Sequence, residues 1–210
     1  YAFINSFTGL LVPEIAGAAS LSHKKRISYI ALRSWRLTIL FGLATAGIMA
    51  VCSSSFGVRI YGNARAAQYI LAIAPLLPVM DLDTVTDSML KGLGEQVYTM
   101  RVNIADAAIS VILVRILVPN FGILGYIAVL YISELINFSL SASRLISRTN
   151  IAFKPFRWCL LPLACLVISS RICCCLFEYI PLYSMPTWFS ITVQSSFVIA
   201  IFVLLALVTG

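Results

Sequence analysis

The sequence predicts an all-α polytopic membrane protein, and its composition and apolar stretches are the reason. Of the 210 residues, 60% are hydrophobic and 11% are charged, whereas about 25% of residues are charged in soluble globular proteins. Two long stretches, Leu37 to Val58 and Tyr179 to Gly210, contain no charged side chain. In lipid the backbone must satisfy its own hydrogen bonds, so only helices or closed barrels cross a membrane. The sequence shows none of the alternating segments of about ten residues that a barrel needs.

Seven stretches are long enough to cross the bilayer, because a spanning helix needs about 20 mainly apolar residues. They lie at about residues 2–20, 36–57, 66–90, 97–118, 121–143, 156–178 and 187–208. Aromatic residues and proline mark expected span ends at Tyr61, at Pro119 to Gly122 and at Tyr183 to Trp188. The prediction is therefore about seven transmembrane helices with short connections.

Basic residues are concentrated in alternate connections, which predicts the orientation. Loops rich in Lys and Arg stay in the cytoplasm. Connections one, three and five carry most of the basic residues: Lys24, Lys25, Arg26, Arg33, Arg36, Lys91, Arg101, Arg144, Arg148, Lys154 and Arg157. We therefore expect these connections inside and the others outside. The net charge of +7 then reflects this asymmetry and anionic lipid headgroups, and nucleic acid is not an expected partner, because no basic patch is interleaved with stacking aromatics.

Three acidic residues, Asp81, Asp106 and Glu134, lie inside consecutive predicted spans and at about the same depth. Each has polar neighbours at helical spacing, such as Asn103 beside Asp106. A charge at the bilayer centre costs at least about 2.5 kcal/mol, so such residues usually face a bundle interior or an aqueous cavity. Two interpretations are open. The carboxyl groups either only hold helices together, or at least one of them binds a cation, a proton or substrate.

A second acidic pair, Asp83 and Asp87, has a simpler interpretation. Asp87 precedes Lys91 by four residues, so an ion pair at a solvated helix end explains it. The six cysteines form no pair of CxxC motifs and the chain has one histidine, so no metal site is expected. No nucleotide-binding or metalloprotease motif is present, and nothing indicates an enzyme.

Three motifs follow one another in a fixed order within residues 5–146. Residues 11–15 read LVPEI, residues 90–94 read LKGLG and residues 117–126 read LVPNFGILGY. In this order and spacing they resemble the stage V sporulation protein B and polysaccharide biosynthesis family of the multidrug, oligosaccharidyl-lipid and polysaccharide flippase superfamily, which is MATE-like.

The resemblance implies an architecture for the chain. Residues 1–146 would form a partial second lobe, helices eight to twelve of the family, and residues 147–210 a terminal helix pair, helices thirteen and fourteen. The chain starts at Tyr1 without an initiator methionine, and we expect it to be the carboxy-terminal part of a longer protein whose amino-terminal lobe is missing here.

The resemblance also implies a function. A flippase of this family would move a lipid-linked glycan or peptidoglycan precursor across the cytoplasmic membrane of a bacterium by alternating access, with sporulation as one setting. Its partners would be that lipid-linked precursor, membrane lipids and the missing lobe. No cofactor is expected apart from a coupling Na⁺ or H⁺. The residues expected to bind substrate or cation are Asp81, Asn103, Asp106 and Glu134. Two alternatives stay open: a cation-coupled small-molecule exporter of the same superfamily and a non-transporting membrane scaffold.

Overall fold

The computed structural model describes residues 2–149 and six positions further along, residues 192, 193, 195, 196, 199 and 200. Every secondary-structure element in this part of the chain is a helix, which confirms the predicted helical class. The elements are α1 (Ala2–Ser20), α2 (Lys24–Ser54), α3 (Ala64–Ile73), α4 (Leu77–Gly92) and α5 (Gln96–Thr149). A π-helical turn, Ser55–Ile60, continues α2, and a 3-10 turn, Ala74–Leu76, joins α3 to α4.

Three helical segments within residues 2–149 are long and apolar enough to cross a membrane: Lys24–Val58, Ala64–Gly92 and Gln96–Thr149. This supports the predicted membrane protein, but seven separate spans are not reproduced. The first predicted span, 2–20, coincides with α1, which is not one of these three segments. The predicted spans 97–118 and 121–143 both fall within α5. The predicted spans 156–178 and 187–208 lie outside the described residues, except for the six later positions.

Helix α5 is interrupted at Gly122, whose φ of 59° and ψ of −133° are not helical. A positive φ is readily adopted by glycine, which has no Cβ. The two arms of α5, residues 96–121 and 123–149, run antiparallel, because residues at similar distances on either side of the break meet. The Tyr98 hydroxyl, for example, donates a hydrogen bond of 3.2 Å to the carbonyl oxygen of Leu140. The predicted turn after Pro119 is therefore present.

Because of the break at Gly122, each arm of α5 has a length close to the thickness of a membrane. As one straight helix, 54 residues would extend about 80 Å, far beyond the roughly 30 Å of hydrocarbon in a bilayer. Gly125 permits the tight return, since a Cβ there would lie 2.3 Å from the carbonyl oxygen of Leu117. None of the most apolar stretch of α5 is buried, and Val111 and Phe121 are 69% and 65% exposed. These surfaces need an apolar environment, which lipid supplies.

Helix α2 begins at Lys24, earlier than the span predicted from about residue 36. The prediction placed the basic residues before the helix, but Arg33 and Arg36 lie on its exposed side, while Ile30 and Trp35 are buried. A helix continues through charged residues when their side chains face away from the core. The predicted third span, 66–90, corresponds to α3 and α4, with Pro75 at the start of the 3-10 turn between them.

The chain divides into two compact units. The first comprises Tyr1–Thr38 and Val79–Phe153, and the second comprises Ile39–Pro78 and Lys154–Gly210. The core of the first unit includes fully buried side chains from α1, α2, α4 and α5: Ile15, Trp35, Val85, Met89 and Leu145. In the second unit, the π-helical turn approaches α3 closely at Gly57, where a Cβ would lie 2.3 Å from the backbone nitrogen of Ala67. The domain boundary that the sequence places between residues 146 and 147 stays a prediction.

Candidate functional site

A set of polar side chains from α4 and both arms of α5 lies within the first unit. We call it the carboxylate–amide cluster. Its members are Asp83 and Asp87 of α4, Asn103 and Asp106 of the first arm, and Ser133, Asn137 and Ser141 of the second arm. On each helix the members are three or four residues apart, which places them on one face. The three helical segments therefore direct their polar faces towards one another.

Two asparagine amides link the three helical segments. Nδ2 of Asn137 donates to Oδ2 of Asp83 at 3.1 Å and to Oδ1 of Asn103 at 3.3 Å. Nδ2 of Asn103 in turn donates to Oδ2 of Asp87 at 3.2 Å. The Ser141 hydroxyl donates to the other carboxylate oxygen of Asp87 at 2.9 Å. Asp87 is therefore held by both arms of α5.

Asp106 forms a second hydrogen-bonded group closer to the bend of α5. The Ser133 hydroxyl donates to Oδ1 of Asp106. The hydroxyl oxygens of Ser110 and Ser133 are 2.7 Å apart. A hydroxyl has one proton to donate, so Ser110 must be the donor in this pair. Its proton continues the chain of hydrogen bonds that ends at the Asp106 carboxylate.

Two buried oxygens of the cluster have no hydrogen-bond partner, Oδ1 of Asp83 and Oδ1 of Asn137. Each of these side chains is only 8% exposed. A buried acceptor without a partner costs about 1–3 kcal/mol, and more when it is charged. Native proteins leave few such groups, and each one needs an explanation. Both oxygens belong to residues that already contact each other, so one proton or one cation could serve both.

The electrostatic surroundings of Asp83 are strongly acidic. Asp87, Glu134 and Asp106 all act on it with like charge, and Lys91 is the opposite charge that acts on it. Lys91 itself is exposed. Like charges that share a region of low dielectric repel each other strongly. A proton or a cation bound at Asp83 would relieve this repulsion.

The four residues predicted from the sequence are placed differently from one another. Asn103 and Asp106 belong to the cluster. Glu134 makes no hydrogen bond with the cluster residues, but it lies within electrostatic reach of Asp106 and Asp87. Asp81 is half-buried, and no hydrogen bond joins it to another residue of the described part. The structure thus brings three of the four together.

Asp83 and Asp87 are the functional candidates that sequence reasoning missed. The interpretation of Asp87 as a solvated helix end is wrong, because it is 7% exposed and accepts hydrogen bonds from Asn103 and Ser141. A sequence signal for Asp83 did exist. Asp83 and Leu90 are seven residues apart on α4, or about two helical turns, and both are buried, as expected for one stripe of a helix.

The connection between α4 and α5 holds a separate ion-pair network. Nη2 of Arg144 lies 2.8 Å from Oε2 of Glu95, and Nη2 of Arg148 lies 2.5 Å from Oε1. The Arg144 guanidinium also lies over the Tyr98 ring, 4.9 Å from its centroid. The hydrogen bond from Arg144, aided by the charges of both arginines, holds the pKa of Glu95 below its ordinary value. The network fastens this connection to the end of the second arm.

A cavity of about 650 Å³ lies beside this network, between the start of α2 and the end of α5. We call it the basic pocket. Its lining residues are Lys24, Lys25, Ser28, Tyr29, Leu32, Ser147, Arg148 and Thr149. All of them belong to the first unit. Three of the eight carry a positive charge at neutral pH.

The donor atoms of the cluster indicate which ions suit it. Within the described positions, no three His, Cys, Asp or Glu side chains are grouped as ligands of a metal ion. The cluster instead combines carboxylate oxygens with amide and hydroxyl oxygens. Oxygen donors of this kind suit hard ions rather than soft transition metals.

Comparisons with protein-family models, with curated proteins and with solved structures find no match to this chain.

Proposed function

We propose that the protein is a membrane transporter that flips a lipid-linked glycan or peptidoglycan precursor across the cytoplasmic membrane, with a coupling Na⁺ or H⁺ bound at the carboxylate–amide cluster. The observation that carries the transport proposal is the pair of unpartnered buried oxygens on Asp83 and Asn137, between helices able to cross a membrane. The substrate class rests on the motif resemblance at residues 11–15, 90–94 and 117–126.

A purely structural role explains the cluster less well. Polar groups that only hold helices together stabilise the fold most when each one has a hydrogen-bond partner. A network with some groups unpartnered is less stable than an apolar core. This cluster leaves two oxygens unsatisfied and gathers several carboxyl groups beside one exposed lysine. Ionisable groups at membrane depth usually mark ion or proton pathways. These features favour ion binding over a membrane scaffold.

The position of the cluster suggests how an ion could control movement. Asp83 belongs to α4 and Asn137 to the second arm of α5, so an ion that binds both side chains would hold these helices together. When the ion leaves, the repulsion between carboxyl groups would favour their separation. An ion shifts a conformational equilibrium only as far as its affinities for the two states differ. A site shared between two helices provides such a difference.

A second candidate, a cation-coupled small-molecule exporter, is favoured by the same cluster. Ion coupling at Asp83 and Asn137 does not depend on the kind of cargo. The two candidates differ only in what crosses the membrane, so a direct transport measurement separates them.

The test uses the intact protein in proteoliposomes that contain a fluorescent undecaprenyl-linked glycan. Flipping is followed by quenching from outside, with an imposed Na⁺ gradient in one arm and a pH gradient in another. We expect one gradient to drive flipping. Asp87→Asn and Asp106→Asn should each reduce the rate at least about tenfold, the effect of about 1.4 kcal/mol. Asp81→Asn, the matched control outside the cluster, should keep the wild-type rate.

Each other result identifies an alternative. Export of a small cationic dye without flipping would identify the exporter. Transport of neither cargo, by a protein that is folded in the vesicles, would identify the scaffold. Normal flipping by all cluster variants would remove the coupling role and leave helix packing as the purpose of the carboxyl groups.

A further inference from the structure

The basic pocket contains positive charge that the described part of the protein does not neutralise. Lys24 and Lys25 are exposed, and neither forms an ion pair with a carboxylate of residues 2–149. Arg148 shares its charge with Glu95 at 2.5 Å. The pocket therefore keeps the positive charges of Lys24 and Lys25 without a neutralising carboxylate in residues 2–149. A ligand that complements them must be an anion.

The two walls of the pocket are held together by a direct hydrogen bond. The Ser28 hydroxyl in the first turns of α2 donates to the carbonyl oxygen of Thr149, at the end of the second arm, at 2.6 Å. The ion pairs of Glu95 with Arg144 and Arg148 fix the same end of the arm. Cations carried by two fastened helices need little reorganisation when an anion binds, which favours affinity.

One side of the pocket is apolar. Tyr29 and Leu32 line it, and Tyr29 is 62% exposed. Leu32 lies about 12 Å along the helix axis from Lys24, at about 1.5 Å per residue. Tyrosine is enriched where membrane lipid meets water, because its ring is apolar and its hydroxyl polar. The pocket thus has a cationic end, which matches a lipid headgroup, and next to it an apolar flank, which matches the acyl chains.

We propose that the basic pocket binds the phosphate of an anionic lipid of the cytoplasmic leaflet, with an acyl chain along Tyr29 and Leu32. Clusters of Lys and Arg between membrane helices on the cytoplasmic side are suited to such headgroups. Free phosphate would use the cationic end alone and would gain nothing from the apolar flank. The lipid does not have to be the flipped substrate, so the inference needs the predicted orientation of α2 but not the flippase activity.

The experiment measures lipid binding by native mass spectrometry of the intact protein in neutral detergent. Phosphatidylglycerol is titrated against phosphatidylcholine with the same acyl chains. We expect phosphatidylglycerol to bind preferentially, and the double variant Lys24→Gln, Lys25→Gln to bind it roughly thirtyfold more weakly. That factor is about 2 kcal/mol, or about 1 kcal/mol for each lysine.

A matched control distinguishes lipid binding at the basic pocket from attraction by the total positive charge of the protein. The double variant Arg33→Gln, Arg36→Gln removes the same charge from exposed positions of the same helix that do not line the pocket. A neutral micelle has no charged bilayer surface. The affinity of this variant for phosphatidylglycerol should therefore differ from that of the wild type by less than about twofold. Equal losses in the two double variants would mean that total charge attracts the lipid, which would overturn the proposal.

A third variant distinguishes the lipid from soluble phosphate. Tyr29→Ala should weaken phosphatidylglycerol binding severalfold and leave the binding of inorganic phosphate unchanged. If inorganic phosphate displaces the lipid at similar concentration, or if Tyr29→Ala binds the lipid like the wild type, the ligand is a soluble phosphate and the lipid assignment fails. Equal retention of phosphatidylcholine would overturn anion binding altogether.

Discussion

Replacing Asp83 with Asn should stabilise the protein in the absence of a coupling ion. The wild-type carboxylate is 8% exposed, accepts one hydrogen bond from Asn137 at 3.1 Å and leaves Oδ1 without a partner. The substitution keeps the size of the side chain and an oxygen that can accept the hydrogen bond from Nδ2 of Asn137. It places a neutral amide, which cannot ionise, beside Asp87, Asp106 and Glu134, whose like charges act on the carboxyl group of the wild type.

The expected magnitude follows from two opposing contributions. Removal of a buried acceptor that has no hydrogen-bond partner relieves about 1–3 kcal/mol. A hydrogen bond to a neutral oxygen is weaker than one to a carboxylate by about 1 kcal/mol. The relief of repulsion adds to the first contribution. We therefore expect Asp83→Asn to raise the free energy of unfolding by about 1 kcal/mol in buffer without Na⁺.

Addition of the coupling ion should make the wild type more stable than Asp83→Asn. A ligand at about 100 times its dissociation constant stabilises the state that binds it by about 2.7 kcal/mol. The wild type should gain this stability as the ion is added, and Asp83→Asn should gain little, because its amide can neither ionise nor take up a proton. Titration with Na⁺ at constant pH, and separately with acid at constant Na⁺, reports which ion is bound.

Thermal unfolding in detergent can be followed through Trp35. Its Nε1 donates to the Thr86 hydroxyl at 3.0 Å, next to the cluster on α4, and the other two tryptophans can be replaced with Phe. Scan rates must be equal, since unfolding of membrane proteins in detergent is often irreversible. Asp81→Asn is the control, with an expected change within about 0.5 kcal/mol. A loss of stability in Asp83→Asn without Na⁺, or an ion response equal to that of the wild type, would refute the reasoning.

Three further predictions concern the rest of the described chain. In a background without native cysteines, a cysteine at Lys25 should be shielded from an impermeant outside reagent and one at Asn63 labelled, and the reverse would overturn the orientation. Glu95→Gln should lower stability at neutral pH by up to about 1 kcal/mol. Because the pKa of Glu95 is held below 4.5, that difference should vanish as the pH falls through the lowered value, and a difference that persists in acid would contradict the ion-pair explanation. Gly92→Ala should cost about 1–3 kcal/mol, since its Cβ would lie 2.9 Å from a carbonyl oxygen of α1. Gly17→Ala, which meets nothing within 4 Å, is its control, and equal thermal midpoints for the two variants would contradict this packing.

The sequence by itself determined the features that depend on local composition. Hydropathy is a property of a segment, so the helical class and the long apolar helices could be predicted without knowledge of their neighbours. The turn near Pro119 and Gly122 was also predictable, because proline restricts the backbone and glycine allows it more conformations wherever they occur. Asn103 and Asp106 were predictable as one polar stripe for the same local reason.

Only the tertiary structure decided which acids meet. Asp81 and Asp83 are two residues apart in the sequence, yet a helix turns by about 200° between them. Asp83 therefore faces Asn137, and Asp81 does not. Which side of α4 becomes buried depends on the helices that pack against it, and the bend at Gly122 sets which residues of the second arm lie opposite Asn103. Helix phase and register are properties of contacts between segments, so composition along a single segment does not determine them.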